Sequence, residues 1–173
     1  MKIVLTGGIA CGKSLVAKYL NELGVKTLDA DDIVHELIPA DERKRLAKTV
    51  FKDPAARRAL EARIHPLVRA RIDEFLCESD SGLRLVIIPL LFEVHWEKNF
   101  DIICCVRSDK ATQVDRMMTT RGYSREEAEA RLAAQLPVDA KADQSHYVIE
   151  NTGTAAELRE KVVAFVDWLK KTR

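Results

Sequence analysis

Eight residues near the N-terminus limit what this chain can fold into more than any other feature. Gly7-Gly8-Ile9-Ala10-Cys11-Gly12-Lys13-Ser14 fits the pattern G-x-x-x-x-G-K-[ST]. An apolar run, Lys2 to Thr6, precedes it and predicts a buried strand that stops at a tight glycine turn. Lys13 to Leu23 follows it, with Val16, Leu20 and Leu23 on one helical face and Gly24 at the end. Strand, glycine loop and helix in that order make a phosphate cradle. Glycine lets the backbone curl until successive N–H groups point inward at phosphate oxygens. The helix N-terminus adds a field that favours an anion. Lys13 is placed to neutralise β- and γ-phosphate charge, and the Ser14 hydroxyl is a candidate Mg²⁺ ligand. The expected nucleotide contacts are therefore Gly8, Ala10, Cys11, Gly12, Lys13, Ser14 and Leu15. Three of these are atypical. Ala10 and Cys11 stand where glycine and serine are frequent, and Leu15 stands where a second hydroxyl is often found. Cys11 lies near a helix N-terminus, a place that could lower a thiol pKa, and is read as a spectator that contributes its backbone N–H.

The remaining chain alternates strands and helices. Strands are predicted at Val25 to Leu28, Leu83 to Ile88, Asp101 to Val106 and His146 to Ile149. Helices are predicted at Ser108 to Arg121, Ser124 to Gln135 and Thr154 to Lys170, with Ser124 and Glu127 forming a capping box. Asp31 to Ser79 reads as helical throughout, divided into several helices by Pro39, Pro54 and Pro66. This order predicts a three-layer α/β/α fold around a five-stranded parallel sheet. Residues 1–31 and 82–173 form the expected nucleotide-binding core, with a helical lid at about 108–135, and residues 32–81 form a helical subdomain.

Lys plus Arg is 28 and Asp plus Glu is 27, so no net charge calls for a nucleic-acid or membrane partner. No apolar stretch is long enough to span a bilayer, and the N-terminal run is too short for a signal peptide. Cys11, Cys77, Cys104 and Cys105 fit neither a zinc site nor a disulfide framework, and the expectation is reduced thiols in a cytoplasmic protein.

A phosphate loop serves GTPases, ATPase motors and small-molecule kinases alike. The guanine motif N-K-x-D and the switch motif D-x-x-G are both missing from the sequence. The third strand ends Ile87-Ile88-Pro89-Leu90, without the acidic pair of a motor. The acids stand at the end of strand two, as Asp29-Ala30-Asp31-Asp32. Carboxyl ends of parallel strands line the ligand crevice. Asp29 is then a candidate Mg²⁺ ligand and Asp31 a candidate base for an attacking hydroxyl, while Asp32 suits an acidic helix start. Arg116, Arg121, Arg125 and Arg131 fall on two helices after strand four. Arg116 and Arg121 read either as clamps on the transferring phosphoryl group or as solvated helix faces, and Arg125 as a partner of neighbouring glutamates. On the residues alone, His65 before Pro66 reads as a helix start, and Phe92 and Trp96 as core or as an apolar ligand wall.

Taken together, T-G-G-I-x-x-G-K-S at Thr6 to Ser14, D-A-D at Asp29 to Asp31, H-P-L at His65 to Leu67 and P-L-L-F-E at Pro89 to Glu93 resemble the dephospho-CoA kinase family. V-F-x-D-P at Val50 to Pro54, the lid arginines, a run ending at Gln135 and V-I-x-N at Val148 to Asn151 extend the resemblance in order along nearly the whole chain. The resemblance implies a P-loop NTPase kinase fold with a helical CoA-domain insertion and a helical lid. It implies that ATP phosphorylates the ribose 3′-hydroxyl of dephospho-CoA, with Mg²⁺. By position it implies Asp31, Lys13, Arg116 and Arg121 as catalytic residues, and Asn151 near the adenine of ATP. It implies Arg43, His65, Leu90, Leu91 and Phe92 at the acceptor, beside Asp31. The implied partners are the two small-molecule substrates, with no nucleic acid or membrane, and a monomer is expected, a homo-oligomer staying open. Two other readings stand beside it: a kinase for another alcohol, and a nucleotide-binding regulator without catalysis. One departure bears on the acceptor. Asp31 reaches Arg43 in a dozen residues, so about a helix-turn-helix of the family's acceptor domain is missing.

Overall fold

The computed structural model describes residues 1–39, 42, 53–78 and 82–172. Arg43, and the residues 50–52 that begin V-F-x-D-P, lie outside the described residues. The chain divides into two compact units, residues 1–27 with 82–173, and residues 28–81.

Five strands form one sheet: β1 (Ile3–Gly7), β2 (Lys26–Asp29), β3 (Arg84–Ile87), β4 (Ile102–Arg107) and β5 (Tyr147–Glu150). Their order across the sheet is β2-β3-β1-β4-β5. β1 pairs in parallel with both β3 and β4, and β4 with β5. β1, β3 and nearly all of β4 are buried, which is why these runs are apolar without alternation. The order reverses at β1, with earlier strands on one side and later strands on the other. Such a reversal opens the ligand crevice of a parallel sheet at the carboxyl ends of its strands. The phosphate loop leaves β1 at that point.

The described helices are α1 (Lys13–Glu22), α2 (Ala30–Leu37), α3 (Pro54–Cys77), α4 (Lys110–Arg121), α5 (Arg125–Ala133), α6 (Val138–Asp143) and α7 (Ala155–Thr172). α1 packs on α7, where Arg159 pairs with Glu22 at 3.0 Å and lies over the Tyr19 ring. α7 buries Leu158, Val162, Phe165, Val166 and Leu169. Ser124 and Glu127 close both bonds of the expected capping box at the start of α5. The helix α6 was not expected. It has six residues after Pro137, too few for a periodic signal.

In the second unit, α2 packs on α3. Pro66 does not divide the helices as expected, because it lies inside the 24-residue α3. Ile64, Val68 and Ile72 are buried at four-residue spacing on both sides of it. Burying that stripe outweighs the lost backbone bond of the proline, so the helix continues.

Candidate active site

Within the first unit the phosphate loop is fixed from several directions. Gly7 closes β1 beside Val106 of β4, and a Cβ there would run into the Val106 carbonyl. Gly12 is the N-cap of α1 with φ 91, and a Cβ on it would meet the Asn151 amide. Ala10 takes a left-handed φ of 57, a conformation that favours glycine and is strained for alanine. Lys13 Nζ arches back over the loop and donates to the carbonyls of Gly7 at 3.0 Å and Gly8 at 2.8 Å. Ser14 is exposed on the first turn of α1, and Leu15 packs partly into the core.

Residues far along the chain hold this loop. Asn151 Nδ2 donates to the Cys11 carbonyl at 2.8 Å, and Asn151 is buried. Arg116 NH1 donates to the Ala10 carbonyl at 3.3 Å and to Ser108 Oγ at 3.0 Å. Its NH2 donates to the Asn151 carbonyl at 3.0 Å, which also accepts from Ser108 Oγ at 2.7 Å. Gln113 Nε2 donates to the Ile9 carbonyl at 2.7 Å, and the Ile9 amide donates to Gln135 Oε1 at 3.2 Å. The backbones of residues 9, 10 and 11 are thus gripped by α4, by the exit of α5 and by the residue after β5. Ser108 and Gln113 were not singled out in the sequence, since serine and glutamine carry no motif there, whereas Gln135 ends a run that extends the resemblance without being marked as a site residue.

The place of Cys11 near a helix N-terminus could lower its thiol pKa, yet its side chain is completely buried. Burial pushes it up, and the nearby Lys13 charge only partly offsets that. Of the expected acceptor contacts Leu90, Leu91 and Phe92, Leu91 and Phe92 are buried and Leu90 is exposed.

Arg116 and Arg121 differ. Arg116 is engaged as described, while Arg121 is exposed at the end of α4 and has no partner among the described residues. Arg125 pairs with Glu129 at 3.7 Å, and Arg131 lies 4.3 Å over the Tyr123 ring.

In the second unit, Asp29 ends β2 and caps α2, its Oδ1 accepting from the Asp31 amide at 2.9 Å. Asp31 and Asp32 are exposed in the first turn of α2. His65 is half-buried in mid-helix. No group of three or more His, Cys, Asp or Glu among the described residues gathers as a ready metal cluster. No described helix is long and apolar enough to cross a membrane.

The family model for dephospho-CoA kinase matches residues 1–44 and 39–157. The chain belongs to the dephospho-CoA kinase family. It is 39% identical to the dephospho-CoA kinase of Geobacter metallireducens over 94% of this chain and 93% of that one. It is 38% identical to that of Symbiobacterium thermophilum over 95% of this chain and 80% of the relative. The solved dephospho-CoA kinase from Campylobacter jejuni superposes with a TM-score of 0.74 at 27% identity, covering 99% of both chains. The chain is accordingly a P-loop kinase of α/β fold, with ATP as the phosphoryl donor. The family match comes in two pieces that overlap at residues 39–44. The Symbiobacterium alignment runs over 191 positions, more than the 173 residues of this chain, so the relative carries segments that this chain lacks.

Proposed function

We propose that this chain transfers the γ-phosphoryl group of ATP to the ribose 3′-hydroxyl of dephospho-CoA, giving CoA and ADP, with the roles distributed as follows. The observation that carries the reading is the family match over residues 1–157, on a loop that retains Lys13 and Ser14. Inward backbone N–H groups of the loop bind the phosphates, and Lys13 leaves the Gly7 and Gly8 carbonyls to meet the β- and γ-phosphates. Asp31 accepts the proton of the attacking hydroxyl; its exposure in the first turn of α2 supports that role. Arg121, unpaired among the described residues, stabilises the charge of the transferring group. Arg116 holds the loop in shape through Ala10 and Asn151. Asn151, expected near adenine, is read as bracing the loop from within.

Ser14 offers an exposed hydroxyl to Mg²⁺, an ion usually bound by one or two protein groups together with substrate phosphates and water. Asp29 is proposed as its carboxylate ligand from its place in D-A-D. When bound, Mg²⁺ neutralises charge on the phosphates. His65, Leu90 and Arg43 are proposed acceptor contacts. All four cysteines are free thiols, which supports a cytoplasmic enzyme.

The test is ADP release from ATP with dephospho-CoA, with other alcohols and with no acceptor. ADP that does not depend on any acceptor, or that depends better on another alcohol, would remove the reading. Asp31→Asn should lower turnover by roughly 10²–10⁴-fold with ATP affinity nearly intact. Normal turnover in that variant would take the base role from Asp31.

A further inference from the structure

Lys141 is a fully buried charged side chain, at 0% exposure, and no step of the proposed reaction uses it. A buried ammonium must find both countercharge and hydrogen-bond acceptors. Lys141 Nζ donates to the Pro89 carbonyl at 2.9 Å and pairs with Glu93 Oε1 at 2.7 Å. Pro89 and Glu93 are the first and last residues of P-L-L-F-E. The segment between them is a tight turn. Val94 N donates to the Leu90 carbonyl and Trp96 N to the Leu91 carbonyl, and His95 ends the turn with a left-handed φ of 55. Leu91 and Phe92 anchor it inside, leaving Leu90 exposed.

Other segments meet at the same pair. Thr6 Oγ1 donates to the Pro89 carbonyl at 3.4 Å. Leu136 N donates to the same Glu93 oxygen that Lys141 holds, at 3.0 Å. The neighbouring Gln135 accepts from Ile9 of the phosphate loop. The ion pair therefore joins P-L-L-F-E to the exit of the lid, one residue from the lid's contact with the loop.

Burial alone is a poor reason for such a pair. Apolar residues of similar volume often serve stability equally well or better. Glu93 Oε2 is also buried with no partner among the described residues, an added penalty. What an apolar pair would not supply is direction: fixed positions for the Pro89 carbonyl and the Leu136 amide. We propose that Lys141 and Glu93 are a positioning pair for the acceptor, holding the 89–93 turn so that Leu90 is presented to dephospho-CoA. This rests on the reading that Leu90 meets the acceptor.

The test is initial-rate kinetics of the full chain as Lys141→Met, Glu93→Gln and Leu90→Glu, with each substrate varied in turn. Lys141→Met should raise the KM for dephospho-CoA by about 10–100-fold while the KM for ATP moves by less than about threefold. Glu93→Gln keeps an oxygen for Leu136 N and should act in the same direction, less strongly. If Lys141→Met does not fold, Glu93→Gln and Lys141→Arg carry the test. A lower melting temperature with both KM values unchanged would make the pair purely structural and overturn the proposal, as would an equal rise in both. An effect of Leu90→Glu without one of Lys141→Met removes the positioning role alone. No effect of Leu90→Glu on the KM for dephospho-CoA removes the underlying reading of the acceptor segment.

Discussion

The side-chain amide of Asn151 donates to the Cys11 carbonyl at 2.8 Å, joining the residue after β5 to the middle of the phosphate loop. The same nitrogen fills the space that a Cβ on Gly12 would enter. Ser108 and Arg116 in turn hold the Asn151 carbonyl. The loop is therefore shaped by a side chain 140 positions away as well as by its own glycines.

Asn151→Ala removes this brace and leaves the Cys11 carbonyl without that donor. A buried polar group that loses its partner costs roughly 1–3 kcal/mol, so ATP affinity should fall about tenfold or the melting temperature should drop by several degrees. Nucleotide titration and thermal unfolding of the same variant measure both. Wild-type values for both would show that the loop keeps its shape unaided.

Ala10 stands where glycine is frequent in such loops, and its left-handed φ of 57 gives that substitution a consequence. A non-glycine residue in this region costs roughly 1–2 kcal/mol, partly offset by the entropy glycine loses on folding. Ala10→Gly should therefore stabilise the chain by about 0.5–1 kcal/mol, read as a higher urea midpoint with an unchanged slope. A lower midpoint would mean that the alanine methyl packs well enough to outweigh the strain.

The parts of this molecule that were legible in the sequence are those encoded locally. Val16, Leu20 and Gly24 declare α1, Ser124 and Glu127 declare the start of α5, and the spacing of Gly7, Gly12, Lys13 and Ser14 declares the loop. The brace on the loop is encoded by contacts between distant residues: V-I-x-N marks Asn151 but not its bond to Cys11, and nothing near Gln113 announces its bond to Ile9. Lys141 looks like an ordinary surface lysine of a polar stretch until β4 and the 89–93 turn enclose it. Pro66 misled for the opposite reason. A local rule about proline was overridden by a buried stripe that only packing reveals.

The thiols offer a check on burial. Cys77 is exposed, whereas Cys11, Cys104 and Cys105 are buried. Burial pushes the Cys105 thiol up to about 12 and raises those of Cys11 and Cys104. A thiol is reactive as its thiolate, so at mildly alkaline pH the native chain should label at Cys77 alone, and at all four sites in denaturant. Mass spectrometry of the alkylated chain counts them. Native labelling of Cys11 would show that the loop opens far more readily than its hydrogen bonds suggest.

Asp109 ties the start of α4 to pH. Its carboxylate accepts from the Thr112 amide at 2.8 Å and from the Thr112 hydroxyl at 2.7 Å, and these bonds hold its pKa below the ordinary carboxylate value. A carboxylate depressed in the folded state contributes stability above its unfolded pKa, and loses it as pH falls through the folded one. Asp109→Asn can still cap the helix but has no charge to titrate. The difference in melting temperature between the two chains should thus be present near neutral pH and shrink on acidification below the carboxylate range. A difference independent of pH would assign the cap to hydrogen bonding alone.

Pro66 separates stability from function in the second unit. It sits inside α3, where it has no N–H to give to the turn before it. Proline in a helix interior is about 3 kcal/mol worse than alanine, and its restriction of the unfolded chain returns about 0.4–1 kcal/mol. Pro66→Ala should therefore stabilise the chain by about 2–3 kcal/mol, seen as a higher urea midpoint. If the proline is kept because it sets the direction of His65 toward the acceptor, the same variant should bind dephospho-CoA more weakly, by about tenfold in KM, while its ATP kinetics stay unchanged. Greater stability with unchanged KM would remove His65-Pro66 from the acceptor site. Lower stability would mean that Ile64, Val68 and Ile72 pack against a helix whose path the proline itself defines.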